Sequence, residues 1–254
     1  MRRSHLSFLA ATFMSVFVLF ACSDGSDPQG QPDSGPVADT AVGKTSAKLK
    51  GVKAYDSLKG TAQLEVEVQG TPTKVELLSG SDVVATADSA PFTLSWDTTG
   101  QKDGIVELKV RCDGDDTMTS EAVKLVVLNK GSEATFTDGT GADIAVPKDS
   151  PYVDQHLKHH WTMGAGITRV IGVLYWDDQA LELELAIGMG TCPHSGTKAA
   201  DVKGKTGAIG VEYGTGQALT EGKWFAHVDL VNKTDDAVKG KTVPYTVKAY
   251  LLVD

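Results

Sequence analysis

The residues with the richest chemistry sit in one run, Asp154-Gln155-His156-Leu157-Lys158-His159-His160-Trp161. In a helix, His156 and His160 are four residues apart and share a face. In a strand they share a face again, with Lys158 between them. Either way two imidazoles converge, and a neutral imidazole is a zinc ligand. A third ligand is available from His194 or Cys192, both in Gly190-Thr191-Cys192-Pro193-His194-Ser195-Gly196. Cys-Pro-His alone is not a metal-binding spacing. The metal expectation is therefore a set of His156, His160 and His194. The other reading is a polar loop in which the histidines are incidental.

Cysteines and acids give further candidates. The body of the chain carries Cys112 and Cys192. In an oxidising compartment an even pair suggests a disulfide, provided the Cα atoms come within about 7 Å. Cys112 continues the inward row of Val106, Leu108 and Val110, so a Cys112–Cys192 bridge would have to staple two domains together. Two separate thiols are the alternative. Cys192 has no orienting acid nearby in sequence, so a nucleophilic role is not supported. Asp113, Asp115 and Asp116, then Asp138 with Asp143, then Asp177 with Asp178, make oxygen-rich turns. Calcium takes six to eight such oxygens. None of these turns follows the twelve-residue calcium loop, and Asp with Gly also simply makes turns. No cofactor is expected; calcium or zinc is the structural ion these residues would accommodate.

Trp96, Trp161, Trp176 and Trp224 could form a stacking platform for sugar rings. Trp96 and Trp224 share strand faces with core residues, which favours packing for those two. Gly188-Met189-Gly190 lacks the downstream Lys of a phosphate loop, and no Gly-x-Ser-x-Gly elbow occurs. The chain therefore reads as non-catalytic.

The elements that must position these residues are strands. Residues 61–68 alternate, with Leu64, Val66 and Val68 against Glu65 and Glu67. Phe92, Leu94 and Trp96 share a face; so do Val106, Leu108, Val110 and Cys112; so do Val123, Leu125 and Val127. Leu181, Leu183, Leu185 and Ile187 alternate with Glu182 and Glu184, and residues 223–232 and 243–253 are further strands. Alternation broken by turn residues every 8–12 positions is the mark of β-sandwiches.

The N-terminus is different. Arg2 and Arg3 precede an apolar run from Leu6 to Ala21, too short and too early for a good membrane-spanning helix. The run ends in Leu19-Phe20-Ala21-Cys22, which resembles a bacterial lipobox, with Phe20 where a small residue is usual. That resemblance implies cleavage before Cys22 and lipid on its thiol. Ser23 after Cys22, rather than Asp, implies an outer-membrane destination. An ordinary secretory signal cut nearby is the alternative. From Ser23 to Lys44 the chain is rich in Ser, Asp, Gly, Pro and Gln without an aromatic residue, the composition of a flexible tether. The net charge is -9, and loss of residues 1–21 removes two arginines and no acid, leaving -11. Such acidity argues against nucleic acid and against basic binding to anionic lipid.

Two resemblances complete the reading. Ala90-Pro91-Phe92-Thr93-Leu94-Ser95-Trp96-Asp97-Thr98-Thr99, then Gly104 and a last strand ending Val126-Val127-Leu128-Asn129, resembles a bacterial immunoglobulin-like domain. This implies a spacer or adhesion module. Trp176-Asp177 before an alternating strand, with residues 222–231 and 245–251, is similar to the jelly-roll domains of the pre-peptidase C-terminal type, although its acidic run is Leu-Glu rather than Asp-rich. The expected fold is all-β. It comprises a signal peptide (1–21), a flexible linker (22–45), an immunoglobulin-like sandwich (46–129) and a jelly-roll-like sandwich (130–254). The expected function is a membrane-anchored extracytoplasmic lipoprotein that binds a polysaccharide or protein, or, alternatively, a metal through its histidines.

Overall fold

A computed structural model describes residues 46–254 apart from 116–117, 149–156, 192–196, 215 and 233. The expected signal segment and linker, with Cys22, lie outside the described residues, as do Asp116, His156, Cys192 and His194. The chain is built from strands throughout. The first eight are β1 (Ser46–Leu49), β2 (Ser57–Leu58), β3 (Thr61–Gln69), β4 (Val75–Ser79), β5 (Asp82–Ala87), β6 (Thr93–Asp97), β7 (Gly104–Cys112) and β8 (Val123–Val127). A three-stranded sheet β1-β3-β6 packs on a five-stranded sheet β2-β8-β7-β4-β5. The alternation read from sequence is what fills this core. Leu64, Leu94 and Trp96 come from one sheet, and Leu77, Val110 and Leu125 from the other. Glu65 and Glu67 face outward and pair with Lys50 and Lys48. The architecture is immunoglobulin-like.

The second sandwich uses β9 (Ser132–Glu133), β10 (Gly141–Ala145), β11 (Leu157–Met163), β12 (Arg169–Trp176), β13 (Leu183–Met189), β14 (Thr197–Gly204), β15 (Ala208–Tyr213), β16 (Gly222–Leu230) and β17 (Thr242–Leu252). One sheet runs β10-β17-β12-β15 with β9 on β17, and the other runs β11-β16-β13-β14. All these ladders are antiparallel, and the strand order is that of a jelly roll. Leu183, Leu185 and Ile187 of β13 meet Val170, Leu174 and Val247 across the core.

The two sandwiches share a third apolar cluster. Tyr55, Val126 and Leu128 of the first pack on Ile171, Val173, Tyr250 and Leu252 of the second. This explains why residues 170–176 are a continuous apolar run rather than an alternating one: β12 is buried on both faces. Each such side chain contributes about 1.5–3 kcal/mol when fully buried. Tyr55 anchors the junction. It holds a left-handed φ of 64°, unusual for an aromatic residue, and its carbonyl accepts the Tyr250 hydroxyl at 3.1 Å.

The connection between the sandwiches is pinned as well. Asp103 is 5% exposed. Its carboxylate accepts the backbone N–H of Asn129 (2.8 Å), Lys130 (2.9 Å) and Gly131 (2.7 Å). Arg169, at the start of β12, donates to the Asp103 carbonyl and pairs with Glu212 and Asp254. Arg169, followed by Lys102, draws the Asp254 carboxyl down to about 2.

Gly210 on β15 lies flat beneath the Tyr55 ring, where a Cβ would stand 2.5 Å from Tyr55 Cε1. We expect Gly210→Ala to lower unfolding stability by about 1–3 kcal/mol through overpacking. Gly100→Ala, at a position with open space around it, should stay within about 0.5 kcal/mol of the parent. Urea unfolding of both variants checks this; equal effects would show that the Tyr55 contact is not formed.

Candidate functional site

β11 carries two of the histidines singled out from sequence. Strand alternation turns His159, Trp161 and Met163 inward and His160 to the opposite face. His159 is 2% exposed. Its Nδ1 donates to the carbonyl of Gly139 at 2.8 Å and its Nε2 accepts the Tyr245 hydroxyl at 2.8 Å. This is the hydrogen-bond pattern of a neutral ring, with the tautomer assigned from its partners. Burial holds its pKa below the ordinary value of 6.5, against the opposing pull of the Gly139 bond. The Phe136 ring stands edge-on at 6.1 Å.

His160 meets the Asp138 carboxylate through Nδ1 and the Thr191 carbonyl through Nε2, the latter at 2.7 Å. Both partners are acceptors. Both ring nitrogens are thereby engaged within the fold. The His160 bond holds the Asp138 carboxyl below the usual range, although burial works the other way. Of the expected zinc set, His156 and His194 lie outside the described residues. Among the described residues, no group of three or more His, Cys, Asp or Glu is close enough to hold a metal ion.

Cys112 is a free thiol at 0% exposure in the first core, and burial, with Asp113 adding to it, pushes its pKa up. Cys192 lies outside the described residues. Two of the acidic residues accept hydrogen bonds within the fold. Asp113 accepts from the Thr73 and Lys74 backbone and the Thr73 hydroxyl. Asp178 accepts from Ala180 N and Lys241.

The four tryptophans do not form an exposed platform. Trp96, Trp161, Trp176 and Trp224 are 2%, 1%, 3% and 3% exposed. The reason is register: each lies on the inward row of its strand, continuous with core residues.

Open apolar surface appears instead where the inward rows of the jelly roll run out. Leu183, Leu185 and Ile187 lead to Met189, the last residue of β13. Ile209 and Val211 lead to Tyr213, the last residue of β15. Trp224 pairs with Met189 near the start of β16. Met189 and Tyr213 are each 37% exposed, two of the four large apolar side chains standing open among the described residues. With Trp224 as floor, and Ala199 and Leu219 beside them, they line a cleft of about 320 Å³. The Tyr213 and Trp224 rings lie 6.1 Å apart at 47°. Lys198, Gln217 and Thr220 form its polar edge. A larger cleft of about 550 Å³ on the first sandwich is lined by Val66, Val68, Pro72, Pro91 and Phe92. None of the large side chains that stand open borders it.

Sequence reasoning missed Met189 and Tyr213. The available signal was the continuation of two alternating rows by one residue past the last aliphatic, but no local feature shows that both rows end at one mouth.

No family model matches the sequence, and no curated protein matches it. Among solved structures, the chain is similar to the fibronectin(III)-like modules of Clostridium thermocellum CbhA (17% identity, 32% of this chain and 93% of that chain, TM-score 0.27). It is also similar to the M60 catalytic domain with the CBM51-1 and CBM51-2 domains of Clostridium perfringens ZmpB (9% identity, 84% of this chain, TM-score 0.34), spanning 32% of that structure's length. A SusE-like protein matches at 11% identity over 82% of this chain and 96% of its own, with TM-score 0.26. These likenesses assign no residue of this chain a role.

The sign of the His159 effect is definite. The folded chain resists protonating His159, whereas the unfolded chain takes up a proton at the ordinary 6.5. Stability is therefore lost as pH falls below about 6.5, with a slope of at most about 1.4 kcal/mol per pH unit from this one site. His159→Gln, which cannot titrate, should flatten the stability profile between pH 6.5 and 5 in denaturant titrations. An unchanged slope would show that His159 is not held neutral.

Proposed function

We propose that this protein is a lipid-anchored, extracytoplasmic binding module of the outer membrane, without catalytic activity. Lipid on Cys22 holds it, residues 22–45 tether it, the immunoglobulin-like sandwich supports the jelly roll, and the jelly roll presents the ligand cleft. One observation carries the binding assignment. Among the described residues, His159, His160, Asp113 and Asp178 are committed to internal hydrogen bonds and the four tryptophans to packing, while Met189 and Tyr213 stand open on one cleft. A concave site with apolar walls and a few polar groups at its edge is the usual form of a ligand pocket. The first sandwich supports this use mechanically, since it grips the outer face of the sheet that ends in Tyr213.

The anchor is tested by fractionation of the producing cells. Full-length protein should stay with the membrane and take up labelled fatty acid. Cys22→Ala should leave both the label and the membrane fraction; label that persists would overturn the anchor. The cleft is tested with the soluble body against cell-envelope material. Met189→Ala with Tyr213→Ala should weaken retention about tenfold or more, as loss of central anchors does, without changing the melting temperature. Retention that survives the double substitution would overturn the cleft. Turnover of envelope polymers by the purified body, abolished by one substitution, would overturn the non-catalytic reading.

A further inference from the structure

The charge bookkeeping of the cleft narrows the ligand. Lys198 is the cation on its edge, and its ammonium is already held by Glu184 Oε1 at 2.9 Å and Asp201 Oδ2 at 3.0 Å. Burial works against the charge on Lys198, but these two carboxylates outweigh it and raise its pKa. The Glu184 carboxylate is shared with Lys203 at 3.0 Å. The Trp224 indole N–H donates to the Thr220 carbonyl at 2.9 Å, so Trp224 offers the cleft its ring alone. What remains is a phenol ring, a thioether, the exposed Gln217 amide and the exposed Thr220 hydroxyl. The body around it carries about eleven net negative charges once residues 1–21 are gone.

We infer that the Tyr213 cleft binds an uncharged glycan, with the C–H face of a pyranose ring laid on Tyr213 and Met189, and its hydroxyls met by Gln217 and Thr220. This rests on the reading of the cleft as the binding site. An anionic polymer would find its one cation neutralised and a negative field around it. A protein partner needs about 800 Å² per side with an apolar centre, whereas the open apolar surface here is two side chains edged by polar groups. A sugar ring needs less. One face is apolar C–H and the rim is hydroxyl, which matches an amphipathic aromatic beside uncharged hydrogen-bonding groups. At about 320 Å³ the cleft is at the small end of ligand sites, about 300–1,000 Å³, so it holds a short stretch of a chain.

The test is calorimetric titration of the tether-free body with neutral hexasaccharides of glucose, mannose and N-acetylglucosamine in α and β linkage. Polygalacturonate and an apolar peptide serve as competitors. At least one neutral glycan should bind saturably and quench tryptophan fluorescence through Trp224. Its affinity should not change between 50 and 500 mM salt, since no counterions are released. Tyr213→Phe should keep binding, Tyr213→Ala should lose about tenfold, and Gln217→Ala should lose part. Cleft-dependent binding of polygalacturonate or the peptide, with no neutral glycan bound, overturns this inference and leaves the cleft as the site. Glycan binding that ignores both Tyr213→Ala and Met189→Ala overturns the cleft itself. No binding of any neutral glycan overturns the inference.

Discussion

An apolar sheet cannot leave both faces in water, and the sheet β10-β17-β12-β15 is apolar on both. Its inner face closes the jelly roll. Its outer face carries Ile171, Val173, Tyr250 and Leu252, and is closed by Tyr55, Val126 and Leu128 of the immunoglobulin-like sandwich. The rest of the body hangs on this contact. It draws Tyr55 into a left-handed turn, requires a bare backbone at Gly210, and brings Arg169 against the carbonyl of Asp103. Three successive amides of the connection then fall on one buried carboxylate. A connection pinned in this way leaves few backbone groups free to rearrange. The described strands accordingly belong to one compact unit, Gly43–Asp254.

The same demand for satisfied polar groups decides what the chemistry-bearing residues do. Buried donors and acceptors left without partners cost about 1–3 kcal/mol each, so a β-sandwich recruits its own polar side chains to close its loops. His159 ties the 136–140 segment to Tyr245, and His160 ties it through Asp138 to Thr191. Asp113 closes one turn and Asp178 another. These four side chains thus fasten loops. Open apolar surface appears where packing ends, at the mouth formed by Met189, Tyr213 and Trp224, because a sandwich of two sheets has no third layer to cover the ends of its inward rows.

The sequence alone determined the all-β class and the inward rows of the strands whose alternation is clear. Leu64, Leu94, Trp96, Leu108 and Val110 lie inward as alternation requires, and the turns fall at Gly, Asp and Ser, because strand geometry turns successive side chains to opposite faces. The lipobox resemblance at Cys22 and the composition of the linker are equally local properties. Tertiary structure alone decided which rows meet and which faces are covered. β12 is buried on both faces, yet nothing near it in sequence names Tyr55, more than a hundred positions away. The two ring nitrogens of His160 meet Asp138 and Thr191, partners 22 and 31 positions away that the local sequence does not name. Met189 and Tyr213 come together because β13 and β15 of opposite sheets end at one cleft. The reason is physical. Alternation is set by backbone geometry between neighbours, whereas coverage, hydrogen-bond partnership and the meeting of strand ends depend on residues joined only by the fold.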